Sequence, residues 1–241
     1  MVSLAVLVFL AALSLIALTY VVYPIWQLIF PGKPIDFTGD FTPPPVSVVF
    51  AAYNESSIIE AKIRSIYRTN YPIELLSVWI GSDLSSDGTD DIIRNLQSEF
   101  PQLNLHVNEA RSGKSATINL LIERTTAEVI IATDANILFK ETTIEELVRP
   151  IALQKATAVA GTLAYEAGGI TNSTATNEKA YLSLENAIRR AESRKHGICF
   201  GMEGGLYSMR KSYWKPIPPN TFMEDFFQTV QLIARDQKDR K

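Results

Sequence analysis

The sequence predicts an α/β protein, a mainly parallel sheet flanked by helices and preceded by one membrane-spanning helix. Three observations predict it. Residues 2–30 carry no charge and are mostly Leu, Val, Ala, Ile, Phe and Tyr. From residue 46 onward, short β-branched runs alternate with helical periodicities in the order β-α-β-α-β-α-β. Polar or charged residues follow each strand directly, and in such sheets ligands sit at the carboxyl ends of the strands.

The charge-free run comes first. At ~1.5 Å rise per residue, roughly 20 apolar residues cross a hydrocarbon core, so it is long enough to span one. A cleaved signal peptide fits poorly, because no basic residue precedes the run and the run exceeds an h-region. Tyr20, Tyr23 and Trp26 mark an interfacial end, and Pro24 is expected to kink or end the helix. Lys33 is the first basic residue, which places the globular part on the cytoplasmic face of the inner or plasma membrane. Residues 31–45 read as a stiff linker unlikely to pack, with Pro31, Gly32, Pro34, Gly39 and Pro43-Pro44-Pro45. The domain boundary falls there, and the globular domain runs from 46 to 241.

Strands are predicted at Val46–Phe50, Leu76–Ile80, Leu103–Val107, Val129–Ala132 and Thr157–Leu163. Helices are predicted at Glu55–Arg68, Thr89–Phe100, Ser115–Arg124 and Thr142–Leu153. A long helix from about Thr174 to Lys195 carries Lys179, Glu185, Arg189, Arg190, Glu192 and Arg194. It reads as a solvated face with i,i+4 pairs, with an acceptor or membrane-surface role left open. A net charge of −3 over 241 residues argues against a nucleic-acid partner. Cys199 is the one cysteine, so there is no disulfide framework. His106 and His196 are isolated and read as structural or surface residues.

Four strand ends converge on one rim: Ala51 to Glu55, Gly81 to Thr89, Arg111 to Lys114, and Thr133 to Asn136. Any one such loop reads more readily as a turn or a helix cap than as a site, and it is the convergence of four that points to a ligand. In the fourth, Asp134 emerges directly from a buried strand. A carboxylate there suits a hard cation such as Mg²⁺ or Mn²⁺, which takes one or two protein carboxylates and fills its other positions with phosphate and water. Asn136 shares that side of an extended backbone and offers a neutral oxygen.

These motifs, in this order, resemble the family-2 inverting glycosyltransferases of the GT-A fold, especially membrane-bound processive polysaccharide synthases. Val46 to Glu55 resembles the opening strand and donor loop, with Ala51 in place of the usual proline. On that resemblance Ala52, Tyr53 and Glu55 contact the donor. Ser82-Asp83-Leu84-Ser85-Ser86-Asp87-Gly88-Thr89 is similar to the Asp-Asp-x-Ser-x-Asp-Gly-Thr segment, whose counterpart of Asp83 binds uracil. Gly113-Lys114 resembles the pair whose lysine approaches the diphosphate. Asp134-Ala135-Asn136 resembles the DxD metal motif with its second Asp replaced. Phe200 to Lys211 resembles the Gly-rich segment under the sugar, including Gly204. Met223-Glu224-Asp225-Phe226 resembles the Glu-Asp motif, which implies catalytic Glu224 and Asp225, with Asp225 the general base. By residue type alone both read as acids favoured at a helix start.

The resemblance implies inverting transfer from a UDP-sugar, with Mg²⁺ or Mn²⁺, to a polysaccharide or other glycan acceptor. A lipid-phosphate sugar transferase and a catalytically silent nucleotide-sugar-binding fragment are the alternatives. The chain is expected to stop short of the full enzyme, since processive relatives continue with a Gln-x-x-Arg-Trp-like segment and more membrane helices. A P-loop nucleotidase is disfavoured, because the glycine required five positions before Gly113 is Asn108.

Overall fold

The computed structural model describes residues 3–162, 173–198, 201–202, 205–219 and 221–239. In chain order the elements are α1 (Leu4–Ala17), α2 (Tyr23–Ile29), β1 (Val46–Ala52), α3 (Ile59–Tyr67), β2 (Leu76–Ser82), α4 (Thr89–Leu96), β3 (Leu103–Val107), α5 (Lys114–Arg124), β4 (Val129–Thr133), α6 (Thr143–Ala152), β5 (Ala158–Ala160), α7 (Ser173–His196), β6 (Leu206–Arg210) and α8 (Glu224–Asp239). They form two compact units, one of residues 1–36 and 163–200, the other of residues 37–162 and 201–241.

In the first unit, α1 and α2 make one apolar helix, Leu4–Ile29, of 26 residues. Such a helix is long enough to cross a bilayer, a test that signal sequences also pass. Ser3 starts it, its hydroxyl accepting from the Val6 N–H. Pro24 does not end it. A π-turn at Leu18–Val22 precedes the proline, and this widening relieves the clash and missing donor a proline brings to an α-helix. α7 packs beside α2. The expected i,i+4 pairing on α7 is present at Glu185–Arg189, 2.8 Å. The face is not uniformly solvated, however. Glu192 is buried and accepts a hydrogen bond from the Tyr23 hydroxyl.

The second unit is a six-stranded sheet in the order β3-β2-β1-β4-β6-β5. β1 to β4 are parallel, and β6 runs antiparallel between β4 and β5. β1 and β4 are buried along nearly their whole length and mostly apolar, as expected of parallel strands covered on both faces, with the Ser47 hydroxyl of β1 hydrogen-bonded to Ser77 at 2.6 Å. On one face Ile118, Leu121 and Ile122 of α5 pack with Val49, Ile130, Ala132 and Tyr207. Two expectations change here. Of the strand predicted at Thr157–Leu163, the described residues form Ala158–Ala160, an edge strand, and Leu163 lies outside the described residues. β6 was read within the Gly-rich segment, yet it lies inside the sheet, buried at Leu206, Tyr207, Ser208 and Met209. The end of the linker also packs: Arg149 Nη1 donates to the Gly39 carbonyl at 3.0 Å, and the Tyr71 hydroxyl donates to the Pro44 carbonyl at 2.6 Å.

Candidate active site

The parallel strands end level with one another. Ala52 pairs with Ser82, and Ser82 with Val107. The first two loops are then stitched into one wall. The Asn54 N–H donates to Ser85 Oγ (3.2 Å) and the Ser86 N–H to Asn54 Oδ1 (2.9 Å). The Ser56 N–H donates to Asp87 Oδ2 (3.0 Å), and the Glu55 N–H to Thr89 Oγ1 (2.9 Å). Donation from the Thr89 hydroxyl and the Ser56 N–H holds the Asp87 carboxyl well below the usual carboxylate range. Glu55 therefore joins the wall through its backbone.

Asp83 follows β2 and is nearly buried. Its own N–H donates to the Ala52 carbonyl at 2.9 Å. Its carboxylate accepts four hydrogen bonds: Oδ1 from Asn108 Nδ2 (2.9 Å) and the Ser112 N–H (2.7 Å), Oδ2 from Arg111 Nε (3.1 Å) and the Gly113 N–H (3.1 Å). Burial pushes its pKa up, but these bonds outweigh burial and hold it below the ordinary value. A carboxylate has about four acceptor sites, so in this state Asp83 is saturated. Asp83 thus organises the loop from β3 to α5, and base recognition by it requires one of these donors to yield. Of the two side-chain donors, Asn108 is buried and Arg111 is exposed. Its guanidinium lies 3.5 Å from the centroid of the Tyr53 ring. Sequence reasoning gave Arg111 and Asn108 no site role. The signal was faint: Asn108 stands directly after β3, and Arg111 is the first cation of its loop.

Lys114 opens α5 and joins the third loop to the fourth. Its Nζ lies 2.7 Å from Asp134 Oδ1 and forms a second ion pair with Glu224, the first residue of α8. Burial lowers the lysine pKa, and the two carboxylates more than reverse this, so it is raised overall. The Asp134 N–H donates to the Gly205 carbonyl at 2.8 Å. Gly205 has φ +64°, and a Cβ there would lie 2.2 Å from Asp134 Oδ2. Only glycine lets the Gly-rich segment pass this close to the carboxylate. Asp225 adjoins Glu224 and is half-buried. Burial raises its pKa above the ordinary aspartate value, with Glu224 adding to the rise and the Phe226 N–H opposing it. Asn136 is exposed. Gly204 lies outside the described residues. Among the described residues no group of three or more Asp, Glu, His or Cys is gathered to hold a metal.

Two further groups support this cluster. Lys62 of α3 is fully buried. Its Nζ donates to Thr133 Oγ1 at 3.0 Å and to the Ile137 carbonyl, bracketing the Asp134 turn from below. The Phe139 ring centroid is 4.1 Å from it. Burial drives its pKa well below the ordinary lysine value, and Asp134 partly counters this. Its signal was legible: Lys62 stands on the apolar stripe of α3, beside Ile59, Ile63 and Ile66. Tyr207 of β6 is buried, and its hydroxyl has no hydrogen-bond partner among the described residues. Burial first, then the charges of Glu224, Asp225 and Asp134, raise its pKa.

Known proteins share this fold. A mannosyltransferase of Pyrobaculum calidifontis, PcManGT, solved with GDP-Man and Mn²⁺, superposes with TM-score 0.73 at 24% identity over 90% of this chain and 61% of its own. The S. aureus protein TarS (1-349) in complex with UDP-GlcNAc superposes with TM-score 0.57 at 15% identity over 77% of this chain and 52% of its own. These likenesses establish the fold. The beta-monoglucosyldiacylglycerol synthase of Trichormus variabilis is 35% identical over 95 residues, 39% of this chain and 20% of that protein. The glycosyltransferase AglE of Haloferax volcanii is 26% identical over 95 residues, 39% of this chain and 31% of that protein. The chain thus spans a minor part of the curated relatives it matches. The pattern of glycosyl transferase family 2 matches residues 47–215. With a match over most of its length, the chain belongs to glycosyl transferase family 2.

Proposed function

We propose that this chain binds a UDP-sugar and carries the general base of an inverting transfer to a hydroxyl acceptor at the cytoplasmic face of a membrane. The observation that carries this reading is Lys114, whose ammonium lies between Asp134 and Glu224 at the carboxyl edge of the sheet. One cation faces two carboxylates there, and a third, Asp225, adjoins them.

The residues fit a hard divalent cation. Asp134 is a partly open carboxylate at a rigid strand end, and the cluster keeps an excess of negative charge. Asp134 would hold Mg²⁺ or Mn²⁺, with Asn136 a further oxygen donor. Bound there, the ion would supply charge neutralisation for the departing diphosphate. The chain's own groups do the rest. The acceptor oxygen attacks the anomeric carbon, its bond forms as the carbon–phosphate-oxygen bond breaks, and the hydroxyl proton passes to the Asp225 carboxylate. The raised pKa of Asp225 suits a base, and such a base contributes about 10²–10⁴-fold. Lys114 adds positive charge beside the leaving diphosphate. Glu224 keeps Lys114 in place. Ala52, Tyr53, Glu55 and Asp83 form the base and ribose end, with Arg111 sharing the Tyr53 face. Gly204 belongs by resemblance to the sugar end.

Titration of the full chain with UDP and GDP, each with and without Mn²⁺, tests this. Mn²⁺ should tighten UDP binding by tenfold or more, and Asp134→Ala should abolish that gain. Metal-independent binding, or an unchanged Asp134→Ala variant, would count against the site.

A polysaccharide acceptor is the reading favoured by the resemblance to processive synthases. A lipid acceptor has its own support. Phe222 is 99% exposed, and Met223 and Phe226 are exposed beside Asp225; apolar side chains flanking a base suit an apolar acceptor. The curated relatives named as glucosyldiacylglycerol synthases point the same way. Radiolabel from the donor partitioning into chloroform-soluble rather than ethanol-precipitable product would decide for the lipid.

A further inference from the structure

The first unit holds a cleft that the transfer chemistry does not use. It has a volume of about 280 Å³ and lies where the apolar helix ends, lined by Leu28 and Pro31 on one side. On the other side stand Ser183, Ala187, Arg190, Ala191 and Arg194 of α7. These five form one straight helical stripe, since spacings of three and four residues share a face.

The stripe is small at its centre and cationic toward the helix C-terminus. Arg190 Nε donates to the Asn186 carbonyl of its own helix at 3.2 Å. Neither Arg190 nor Arg194 has a carboxylate within ion-pair distance among the described residues. The neighbouring acid, Glu192, is buried and engaged by Tyr23. Glu185 is engaged by Arg189. Two guanidiniums therefore line one cleft without an anion among the described residues to neutralise them.

The cleft is built rather than incidental. Lys195 Nζ lies 5.0 Å from the Trp26 ring centroid and holds the end of α7 to α2. Gly32 has φ +75°, and a Cβ there would lie 2.8 Å from the Lys195 backbone nitrogen, so only glycine lets the chain turn so tightly under α7. Tyr181 and Leu184, on the same helix, are exposed apolar residues.

We propose that this cleft binds the phosphate headgroup of an anionic glycerophospholipid resident in the bilayer. The inference rests on reading Leu4–Ile29 as a membrane span. Its residues fit that ligand part by part. Planar guanidiniums grip phosphate oxygens in pairs. Leu28 and the apolar helix face the acyl chains, and Ser183 offers a neutral hydroxyl. The ends of membrane spans lie at headgroup level, where basic residues are attracted to anionic lipid. Bound there, the lipid would tie α7 to the anchor.

Native mass spectrometry of the full chain, released from nanodiscs of phosphatidylcholine with a quarter phosphatidylglycerol, tests the proposal. One phosphatidylglycerol should be retained in preference to phosphatidylcholine. Retention should fall roughly tenfold or more in R190A/R194A, and in Ala187→Phe, which fills the cleft but keeps both arginines. Unchanged retention in R190A/R194A overturns the proposal. Full retention in Ala187→Phe also overturns it, since attraction would then be diffuse. Displacement of the lipid by millimolar inorganic phosphate would show a free-anion site and overturn the lipid assignment. Release of the chain from membranes by alkaline carbonate would refute the span itself. Firm membrane retention without lipid preference would refute only the cleft.

Discussion

Replacing Lys62 with methionine tests whether a buried charge organises the Asp134 turn. Methionine keeps most of the stem volume and removes the ammonium. Two hydrogen bonds from a charged donor, to Thr133 Oγ1 and the Ile137 carbonyl, disappear; such bonds contribute about 1.5–3 kcal/mol each. Contact with the Phe139 face, 4.1 Å away, adds about 0.5–2 kcal/mol. Against this stands the desolvation of the ammonium, about several kcal/mol. The Thr133 hydroxyl keeps a second partner in the Asp134 carbonyl at 3.3 Å, whereas the hydrogen bond accepted by the Ile137 carbonyl is lost. The balance is a destabilisation of about 2 kcal/mol, close to the cost of one unsatisfied group. For a domain of this size that is about 5 °C in Tm. Lys62→Ala also opens a cavity and should cost about 2 kcal/mol more.

The sign of the pH dependence follows from the lowered lysine pKa. Folded Lys62 binds its proton more weakly than unfolded Lys62. Between its folded value and the ordinary lysine value the unfolded chain holds more protons, so stability rises with pH across that window. Lys62→Met should remove this rise. Calorimetric melts of the full chain at several pH values read both effects, and a UDP·Mn²⁺ titration reads the turn. A Lys62→Met variant as stable as wild type, binding UDP equally well, would refute the reasoning.

Gly205→Ala should place a methyl on the Asp134 carboxylate and weaken Mn²⁺-dependent UDP binding more than tenfold. Gly88→Ala is its control, because Gly88 has φ +91° but nothing within 4 Å of an added Cβ. It should cost stability, about 1–2 kcal/mol, and leave UDP binding intact; equal binding by the two variants would sink the close-approach argument. Turnover against pH, followed as UDP release, should show an acid limb above the ordinary aspartate range, because the base must be deprotonated and burial raises Asp225. Asp225→Asn should lower turnover by about 10²–10⁴-fold, and a variant with full turnover would remove Asp225 from the mechanism.

Much of the fold was legible because its signals are local. Val46–Phe50, mostly β-branched, and Val129–Ala132, wholly apolar, are runs of strand length, and a strand buried on both faces needs little else to declare itself. Asp134, Lys114 and Asp83 were legible because each directly follows a strand or opens a helix in a motif order. β6 was harder. Leu206–Arg210 is as short and apolar as the other strands, but its antiparallel place between β4 and β5 depends on residues far away in sequence. Asp83 shows the limit for roles. Its position was readable, yet its four donors come from Asn108, Arg111, Ser112 and Gly113, which only the closed loop assembles.

The sequence by itself determined the apolar helix, the alternating α/β order and the rim of polar residues, since periodicity and turn chemistry are properties of neighbouring residues. Only the tertiary structure decided which of those residues meet. It turned Lys62 inward beneath Asp134, set Lys114 between Asp134 and Glu224, laid Arg111 on Tyr53, and buried Glu192 against Tyr23. Each is a contact across tens of residues or more, and its energy depends on burial and distance, which a linear string does not contain.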